Sequence, residues 1–298
     1  MSSGGNDTGE SRFRVMERVL ITGAKGMLGL DLTEELSGRY EVYGRDIDDF
    51  DITKAKETMD AIMETRPDIV IHAAGYTDVD GCETHVELAH SVNGVGTKNV
   101  ASVCRELGSK MVYISTDYVF DGTKSGAYSE EDPTCPINTY GRSKLEGEQW
   151  VRTLVGQFAI VRTAWLFGSG GKNFVKTILK LAREKGALSV VNDQVGSPTY
   201  TVDLSRAIDV LTERGGKGIY HITNDGTCSW YEYTQEILAM SGLGNISVHP
   251  MSSDQLNRAA KRPCNSVLDR GKFERETSYR MRPWREALRD YLKREAQQ

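Results

Sequence analysis

The chain has 298 residues, a formal net charge of −5 and five cysteines. That length suits one large α/β domain or two smaller domains that share an interface. Acidic and basic residues are interleaved, so the sequence offers no basic surface for nucleic acid or for a membrane. The cysteines are scattered and form no CxxC pair, which argues against a disulfide framework or a zinc site and favours a reducing, cytoplasmic setting.

Residues 1–16 are rich in Gly, Ser, Asn and Asp and predict a disordered tail rather than a signal peptide or membrane anchor. From Arg18 onward, short β-branched runs alternate with longer segments of helical periodicity, which is the pattern of βαβ units. We therefore predict an α/β fold. It consists of a Rossmann-type doubly wound parallel sheet over residues 17–168 and a smaller, mainly substrate-binding C-terminal lobe over residues 169–298. Segments near residues 200–222 are candidates to rejoin the first domain.

The predicted elements follow one another regularly along the first domain. In chain order, the predicted strands cover residues 18–22, 41–43, 68–73, 111–115 and 158–163. The predicted helices cover residues 27–36, 54–64, 87–106, 139–154 and 173–185. A strand, a helix and a second strand in this order build a parallel sheet through a right-handed crossover. The helix at 173–185 opens the predicted second lobe, where the alternation becomes looser.

A glycine-rich loop joins the first predicted strand to the first predicted helix. Glycines at every third position allow a tight turn and a close approach of the backbone to a ligand. The free N–H groups and the dipole at the start of a helix favour an anion such as a pyrophosphate. A glycine-rich connection without a ligand is the alternative, but the strand-turn-helix context favours a dinucleotide site. The expected contacts are Gly23, Gly26, Met27, Leu28 and Gly29.

The end of the second predicted strand bears on the choice of cofactor. Asp46 stands about where a carboxylate binds the ribose 2′-hydroxyl of NADH. Arg45 and Lys25 would instead neutralise the 2′-phosphate of NADPH, unless they are ordinary solvated surface charges. Both NADPH and NADH therefore remain candidate cofactors. Further cofactor contacts are expected after the second and third strands, at Asp51, Ile52, Ala74, Gly75 and Tyr76.

Tyr140 and Lys144 are neighbours on one helical face because residues four apart lie together on a helix. The ammonium would lower the pKa of the phenol, and the phenol could pass a proton to a carbonyl oxygen as a hydride reaches the carbon. Such a pair is common by chance, but this one follows a strand whose carboxyl end carries hydroxyls. Thr116, and with less support Ser115, would hydrogen-bond the substrate unless it bonds local backbone. Asn93 would hold water or the lysine, or would simply pack.

Seven short motifs together resemble the dTDP-4-dehydrorhamnose reductase family of extended short-chain dehydrogenase/reductases. They are found at residues 51–53, 76–80, 115–121, 140–144, 162–165, 192–198 and 262–266, and the resemblance covers nearly everything from Arg18 to the C-terminus. It implies reduction of the C4 ketone of dTDP-4-dehydro-6-deoxy-L-mannose to dTDP-L-rhamnose. The resemblance also implies that Tyr140 donates the proton, that Lys144 activates Tyr140 and that Thr116 tunes the proton transfer.

The resemblance implies three substrate contacts as well. Asp117 and Trp165 would hold the sugar, and Arg262 would meet the diphosphate, since a guanidinium pairs well with phosphate oxygens. The alternatives are core packing for Trp165 and a surface ion pair for Arg262. Some family members are magnesium-linked dimers, but the positions that correspond here are Asp31 and the apolar Val202. We therefore predict no metal required for chemistry, and a homodimer remains one expected assembly.

Three rival functions remain open from the sequence. Sugar-nucleotide dehydratases and epimerases share the glycine loop and the Tyr/Lys pair, but dehydratase-like sequences place a glutamate where this chain has Tyr118, so the acid/base group for losing water is missing. A reductase of another nucleotide-linked 4-keto sugar, such as one leading to the talose epimer, is the nearest alternative. A regulatory subunit that binds dinucleotide without turnover is the third. All of these predict a small-molecule partner rather than nucleic acid or a membrane.

Overall fold

The computed structural model describes residues 16–297, so the predicted tail lies outside the described residues except for Met16. The strands are β1 (Arg18–Thr22), β2 (Glu41–Arg45), β3 (Ile69–His72), β4 (Lys110–Thr116), β5 (Phe158–Thr163), β6 (Leu166–Phe167), β7 (Ala187–Val191), β8 (Val195–Gly196), β9 (Thr199–Tyr200), β10 (Gly218–His221), β11 (Cys228–Ser229) and β12 (Ser247–Met251). The α-helices are α1 (Met27–Leu36), α2 (Ala55–Thr65), α3 (Val79–Thr84), α4 (Val86–Ala89), α5 (Thr97–Leu107), α6 (Thr139–Leu154), α7 (Phe174–Glu184), α8 (Thr201–Glu213), α9 (Trp230–Met240), α10 (Gly271–Thr277) and α11 (Trp284–Glu295).

Six parallel strands form the central sheet in the order β10-β5-β4-β3-β1-β2. The chain starts at β1, adds β2 on one side and then crosses to β3 on the other side. Ligands of such sheets bind at the carboxyl ends of the strands, where this reversal opens a crevice. The prediction of a Rossmann-type doubly wound parallel sheet is confirmed. The sixth strand, β10, comes from the segment near residues 200–222.

Helices cover both faces of the sheet, and the burial of β1 illustrates the consequence. Val19 and Ile21 pack into a core that includes side chains of α1 and α8, whereas Leu20 packs on the opposite face with side chains of α2, α5 and α6. All three side chains are fully buried. Strands that are covered on both faces read as continuous apolar runs, which is why β1 could be recognised from its sequence.

The helix predicted over residues 87–106 is interrupted in its middle. α4 is followed by a π-helical segment, His90–Gly96, and only then by α5. Two glycines in this widened turn have no room for a side chain. A Cβ on Gly94 would lie 2.5 Å from Cδ of Glu146, and a Cβ on Gly96 would lie 2.8 Å from Cγ1 and Cδ1 of Ile52. π-helical turns are rare and are frequent at functional sites. The prediction of one continuous α-helix is therefore wrong for this segment.

A second core lies in the C-terminal part of the chain, between helices α7, α9 and α11 and the parallel pair β7–β12. Phe167, Tyr233, Trp284 and Tyr291 are among its largest side chains and are almost completely buried. This core is separate from the two cores that flank the central sheet. Between residues 16 and 297, no helix combines the length and the apolar character needed to cross a membrane.

Candidate active site

A cavity of about 830 Å³ lies at the carboxyl ends of the central strands. It extends from the glycine loop after β1, past the ends of β2, β3 and β4, to the first turns of α6 and α9. Every residue that the sequence assigned to catalysis or to binding lines this cavity, with the exceptions of Arg262 and Asn93. The topology thus brings together side chains and backbone from segments that are far apart in the chain.

The glycine loop leaves the start of α1 open to a ligand. Gly23 has φ +73°, and a Cβ there would lie 2.7 Å from the backbone N of Ala74. A Cβ on Gly29 would lie 2.1 Å from the carbonyl oxygen of Gly23. The N-cap residue is Gly26, so no side chain caps the first turn that begins at Met27. Uncapped N–H groups at a helix start bind anions, and these residues fit the pyrophosphate of a dinucleotide.

The carboxylate of Asp46 ties the glycine loop to the end of β2. It accepts the backbone N–H of Lys25 at 2.8 Å and that of Ile47 at 2.8 Å. The side chain of Lys25 pairs with Asp48 at 2.6 Å, and both Lys25 and Arg45 line the cavity near Asp46. This end of the cavity therefore presents groups of both charges, which suits a ribose hydroxyl as well as a ribose phosphate.

Asn93, in the π-helical segment, fixes the loop that follows β3. Its Oδ1 accepts the backbone N–H of Tyr76 at 2.8 Å, and its Nδ2 donates to the carbonyl of Tyr76 at 3.0 Å and to Oγ of Ser143 at 2.9 Å. A Cβ on Gly75 would lie 3.0 Å from Oδ1 of Asn93 and 3.8 Å from Nζ of Lys144. The buried amide thus holds the loop against α6 and leaves the ammonium little free space.

Tyr140 and Lys144 stand one turn apart at the start of α6. The helix is capped by Asn138, whose side chain accepts the backbone N–H of Gly141. Nζ of Lys144 lies 4.2 Å from the ring centroid of Tyr113, and the side chain is only 4% exposed. Burial lowers the pKa of Lys144 to about 7, and the negative charge of Glu148 acts in the opposite direction.

The phenol of Tyr140 faces two side chains from the end of β4. Burial raises the pKa of Tyr140 above its usual value, the charge of Asp117 raises it further, and the Thr116 hydroxyl opposes this. Thr116 donates to Oδ1 of Asp117 at 2.9 Å. Burial also raises the pKa of Asp117 to about 7. A phenol that stays protonated at neutral pH suits a proton donor, which must release its proton only as negative charge develops on the substrate oxygen.

Two indole rings form the far wall of the cavity. Trp165 follows β5 with φ +48°, and its ring stacks on that of Trp230 with centroids 3.4 Å apart and planes 7° apart. A non-glycine residue in this backbone region is uncommon and often marks a functional site. Trp230 was not predicted as a site residue. The Ser229–Glu232 capping box would have located the start of α9 in the sequence but not the direction of the ring.

Arg262 lies behind the cavity wall rather than on it. Its Nη1 and Nη2 bind Oδ1 and Oδ2 of Asp80 at 2.6 and 2.7 Å, and Arg258 adds a contact to the same carboxylate at 3.2 Å. The Arg262 guanidinium holds the pKa of Asp80 well below its usual range. Tyr118 lines the cavity and interacts with Arg262. Lys172 does line the cavity and was not predicted.

The positions considered for a metal are occupied by other contacts. Asp31 is buried, accepts the hydroxyl of Thr201 at 2.5 Å and lies 3.4 Å from Nη1 of Arg294. Within the described residues, no group of three or more His, Cys, Asp or Glu side chains is arranged to hold a metal ion.

Residues 16–297 match the family model described as the RmlD substrate binding domain. This chain belongs to the RmlD family. The solved structure of dTDP-4-dehydrorhamnose reductase from Bacillus anthracis str. Ames in complex with NADP superimposes on it with a TM-score of 0.91. That protein is 41% identical, and the match covers 94% of this chain and 99% of the other.

Other proteins similar to this RmlD family member carry several names. The spore coat polysaccharide biosynthesis protein SpsK of Bacillus subtilis is 42% identical, over 93% of this chain and 97% of that protein. The dTDP-4-dehydrorhamnose reductase of Aggregatibacter actinomycetemcomitans is 40% identical, over 92% and 98%. The dTDP-4-keto-6-deoxy-D-glucose reductase of Streptomyces niveus is 38% identical, over 91% and 95%. Two of the three names specify reduction of a dTDP-linked sugar.

Proposed function

We propose that this protein reduces the C4 ketone of dTDP-4-dehydro-6-deoxy-L-mannose to dTDP-L-rhamnose with NADPH or NADH. The observation that carries the proposal is the cavity that joins the glycine loop to Tyr140, Lys144 and Thr116. A relative with 40% identity is named dTDP-4-dehydrorhamnose reductase, which supports the substrate. A solved relative with 41% identity is in complex with NADP, which supports NADPH as one of the two cofactors.

The positions of Tyr140, Lys144 and Thr116 in the cavity support a catalytic role for each. A bound reduced nicotinamide supplies the hydride, which adds to C4 of the sugar. Tyr140 gives its phenolic proton to the C4 oxygen, so the ketone becomes an alcohol and the phenol becomes a phenolate. The ammonium of Lys144 stabilises that negative charge. Thr116 hydrogen-bonds the substrate oxygen and steadies the phenol that donates to it.

We also propose that the two parts of the chain bind different ligands. Residues 17–168 mainly bind the dinucleotide, and the lobe after residue 169 mainly binds the sugar nucleotide. Asp117 and Trp165 would hold the sugar, and Oδ2 of Asp117, which is buried and has no hydrogen-bond partner among the described residues, supports this role. Arg262 would reach the diphosphate only by exchanging Asp80 for phosphate oxygens.

A homodimer that works in the cytoplasm completes the proposal. Val86, Leu88 and Val95 are exposed apolar side chains within one stretch of ten residues, which supports a partner surface there. All five cysteines are free, which supports a reducing compartment. Light scattering coupled to gel filtration measures the mass directly. A mass of one chain at working concentrations would remove the dimer from the proposal without affecting the chemistry.

Reduction of a different nucleotide-linked 4-keto-6-deoxy sugar is the second candidate function. The relative from Streptomyces niveus, 38% identical, is named for such a substrate and supports this alternative. A non-catalytic dinucleotide-binding subunit is a more distant alternative, and the complete set of Tyr140, Lys144 and Thr116 in the cavity argues against it.

The deciding experiment follows oxidation of NADPH and of NADH by the purified protein, with dTDP-4-dehydrorhamnose generated in situ and the product identified by NMR. Formation of dTDP-L-rhamnose would establish the reaction and the stereochemistry at C4, and the two rates would give the cofactor preference. A product with the opposite configuration at C4 would indicate the talose series. Cofactor binding without oxidation would favour another keto sugar or the regulatory subunit.

A further inference from the structure

A buried ion pair lies directly behind the catalytic residues. Arg162 on β5 binds Glu148 on α6 through two hydrogen bonds, from Nε to Oε1 at 2.9 Å and from Nη2 to Oε2 at 2.7 Å. The two side chains are 2% and 1% exposed. Breaking such a pair is costly because the remaining charge is buried without a partner. Neither residue has a part in the proton transfer or in the ligand contacts described above.

Glu148 continues the face of α6 that carries the catalytic pair. Tyr140, Lys144 and Glu148 follow one another at intervals of four residues, so each lies about one turn after the previous one on the same side of the helix. The hydroxyl of Ser115 donates to Oε1 of Glu148 at 2.6 Å. Ser115 immediately precedes Thr116 at the end of β4. The carboxylate therefore connects the helix that carries the proton donor to the strand that carries its hydroxyl partner.

Neutral groups from the other elements surround the ammonium of Lys144. On β3, His72 is fully buried between the hydroxyls of Thr22 and Thr97, and burial together with the charge of Lys144 lowers its pKa to about 3. On β4, the ring of Tyr113 lies under the ammonium. Asn93 of the π-helical segment contributes an uncharged amide, and the phenol of Tyr140 is protonated at neutral pH.

On the far side of the pair, Arg162 contacts another neutral group. Its Nη1 lies 3.4 Å from Nε2 of His221 on β10, and burial lowers the pKa of that imidazole to about 3. Nδ1 of His221 lies 3.0 Å from the carbonyl oxygen of Tyr128. Arg162 thus pairs with the buried carboxylate of Glu148, and that carboxylate is the opposite charge that acts on Lys144.

We propose that Glu148, held by Arg162 and Ser115, is a positioning residue that keeps the Lys144 ammonium charged and aligned behind Tyr140. The inference rests on the proposed reduction, in which that ammonium stabilises the phenolate. A buried ammonium without a nearby anion gives up its proton readily, because burial disfavours the charged form. Burying an unpaired carboxylate is costly, so Glu148 can occupy this buried position only while Arg162 is its partner.

The test replaces Glu148 and follows the protonation of Lys144 in two independent ways. The first is the pH dependence of kcat, whose alkaline limb reports loss of the ammonium. The second is an NMR titration of protein labelled in its lysine side chains, with the signal assigned by Lys144→Met. In Glu148→Gln we expect both midpoints to move to lower pH by about one unit. In Glu148→Asp, which retains the charge, we expect both to stay closer to those of the wild type.

Glu146→Gln is the matched control because it makes the same chemical change two residues away. Glu146 is partly exposed and pairs with His90 at 2.7 Å, so its loss should leave the Lys144 titration unchanged. If Glu148→Gln does not fold, the double variant Glu148→Gln/Arg162→Met removes the unpaired guanidinium as well. We expect its Lys144 midpoint to lie below that of the wild type too.

The inference would be overturned if Lys144 titrated in Glu148→Gln at the same pH as in Glu146→Gln. The same holds if the double variant is used in place of Glu148→Gln. The NMR titration needs no substrate, so it separates this inference from the proposed function. A wild-type protein that oxidises neither cofactor but shows the Glu148-dependent shift would contradict the reduction alone. A wild-type protein that turns over, with a titration that does not depend on Glu148, would contradict the positioning role alone.

Discussion

The indole ring of Trp165 is stacked on that of Trp230, with centroids 3.4 Å apart, although the two residues belong to different parts of the fold. Trp165 follows the central strand β5, and Trp230 begins helix α9 of the second core. Both rings line the cavity. The wall against which the sugar is proposed to bind is therefore formed jointly by the two parts of the chain, and each ring holds the other in place.

Replacing Trp230 tests the substrate side of the cavity. In Trp230→Leu we expect the KM for the sugar nucleotide to rise about two- to twelvefold, because a stacked aromatic pair contributes roughly 0.5–1.5 kcal/mol beyond its buried area. The Kd for NADPH should be unchanged. Trp150→Leu is the control, since Trp150 lies on α6 under Lys98 and does not line the cavity. Equal effects of both substitutions on KM would mean that the ring pair has no specific role in binding.

Tyr140→Phe tests the proton donor. We expect kcat to fall by about 10²- to 10⁴-fold, the usual contribution of general acid catalysis, with little change in cofactor affinity. Tyr231→Phe on the surface of α9, where the hydroxyl contacts only Gln235 among the hydrogen bonds described, should behave as the wild type. Stopped-flow oxidation of NADPH separates chemistry from product release. A near-normal rate in Tyr140→Phe would remove this residue from the mechanism.

Replacing either of two aspartates after β2 should shift the cofactor preference toward NADPH. Asp46→Ala should lower the affinity for NADH more than the affinity for NADPH, because it removes the proposed acceptor for the ribose hydroxyl. Asp48→Ala should release Lys25 from its ion pair and so raise the affinity for NADPH. We expect an increase of only about two- to threefold, because one exposed charge contributes little to binding. Calorimetric titrations at low and high salt would measure both. An equal change in affinity for the two cofactors in Asp46→Ala would show that Asp46 only stabilises the glycine loop.

The ion pair between Asp80 and Arg262 makes a prediction about stability and pH. Because Arg262 holds the pKa of Asp80 below its ordinary value, the stabilisation is complete above about pH 5 and is lost as the pH falls through the lowered pKa. Asp80→Asn should lower Tm by about 2–4 °C at pH 7, and the difference should narrow below about pH 3. Asp60→Asn, which breaks a solvent-exposed pair with Lys56, should leave Tm unchanged at either pH.

Much of the cofactor side of the site follows from local sequence. β1, β5, α1 and α6 begin and end at the predicted residues because their apolar patterns are bounded by glycine, by a capping asparagine or by polar turns. The loop between β1 and α1 could be recognised for the same reason. Such signals are contained within a few neighbouring residues, so a single sequence is enough to read them.

The features that the sequence did not reveal depend on distant partners. The turn at His90–Gly96 is π-helical, and its side chains still look helical in sequence because one extra residue hardly changes the periodicity. The family resemblance assigned Arg262 to a diphosphate, but its pairing with Asp80 spans most of the chain. Trp230 reads as an ordinary helix residue until the fold brings it to Trp165.

The origin of β10 determines how the molecule can be divided. A fragment that ended near residue 168 would contain the glycine loop, Tyr140 and Lys144, but it would lack the edge strand that pairs with β5 and the helix α8 that covers α1. Its apolar faces would then be exposed to water. We therefore expect that neither part folds without the other. Heat or denaturant should unfold the chain in one cooperative step. Any fragment that ends before β10 should fail to bind the cofactor.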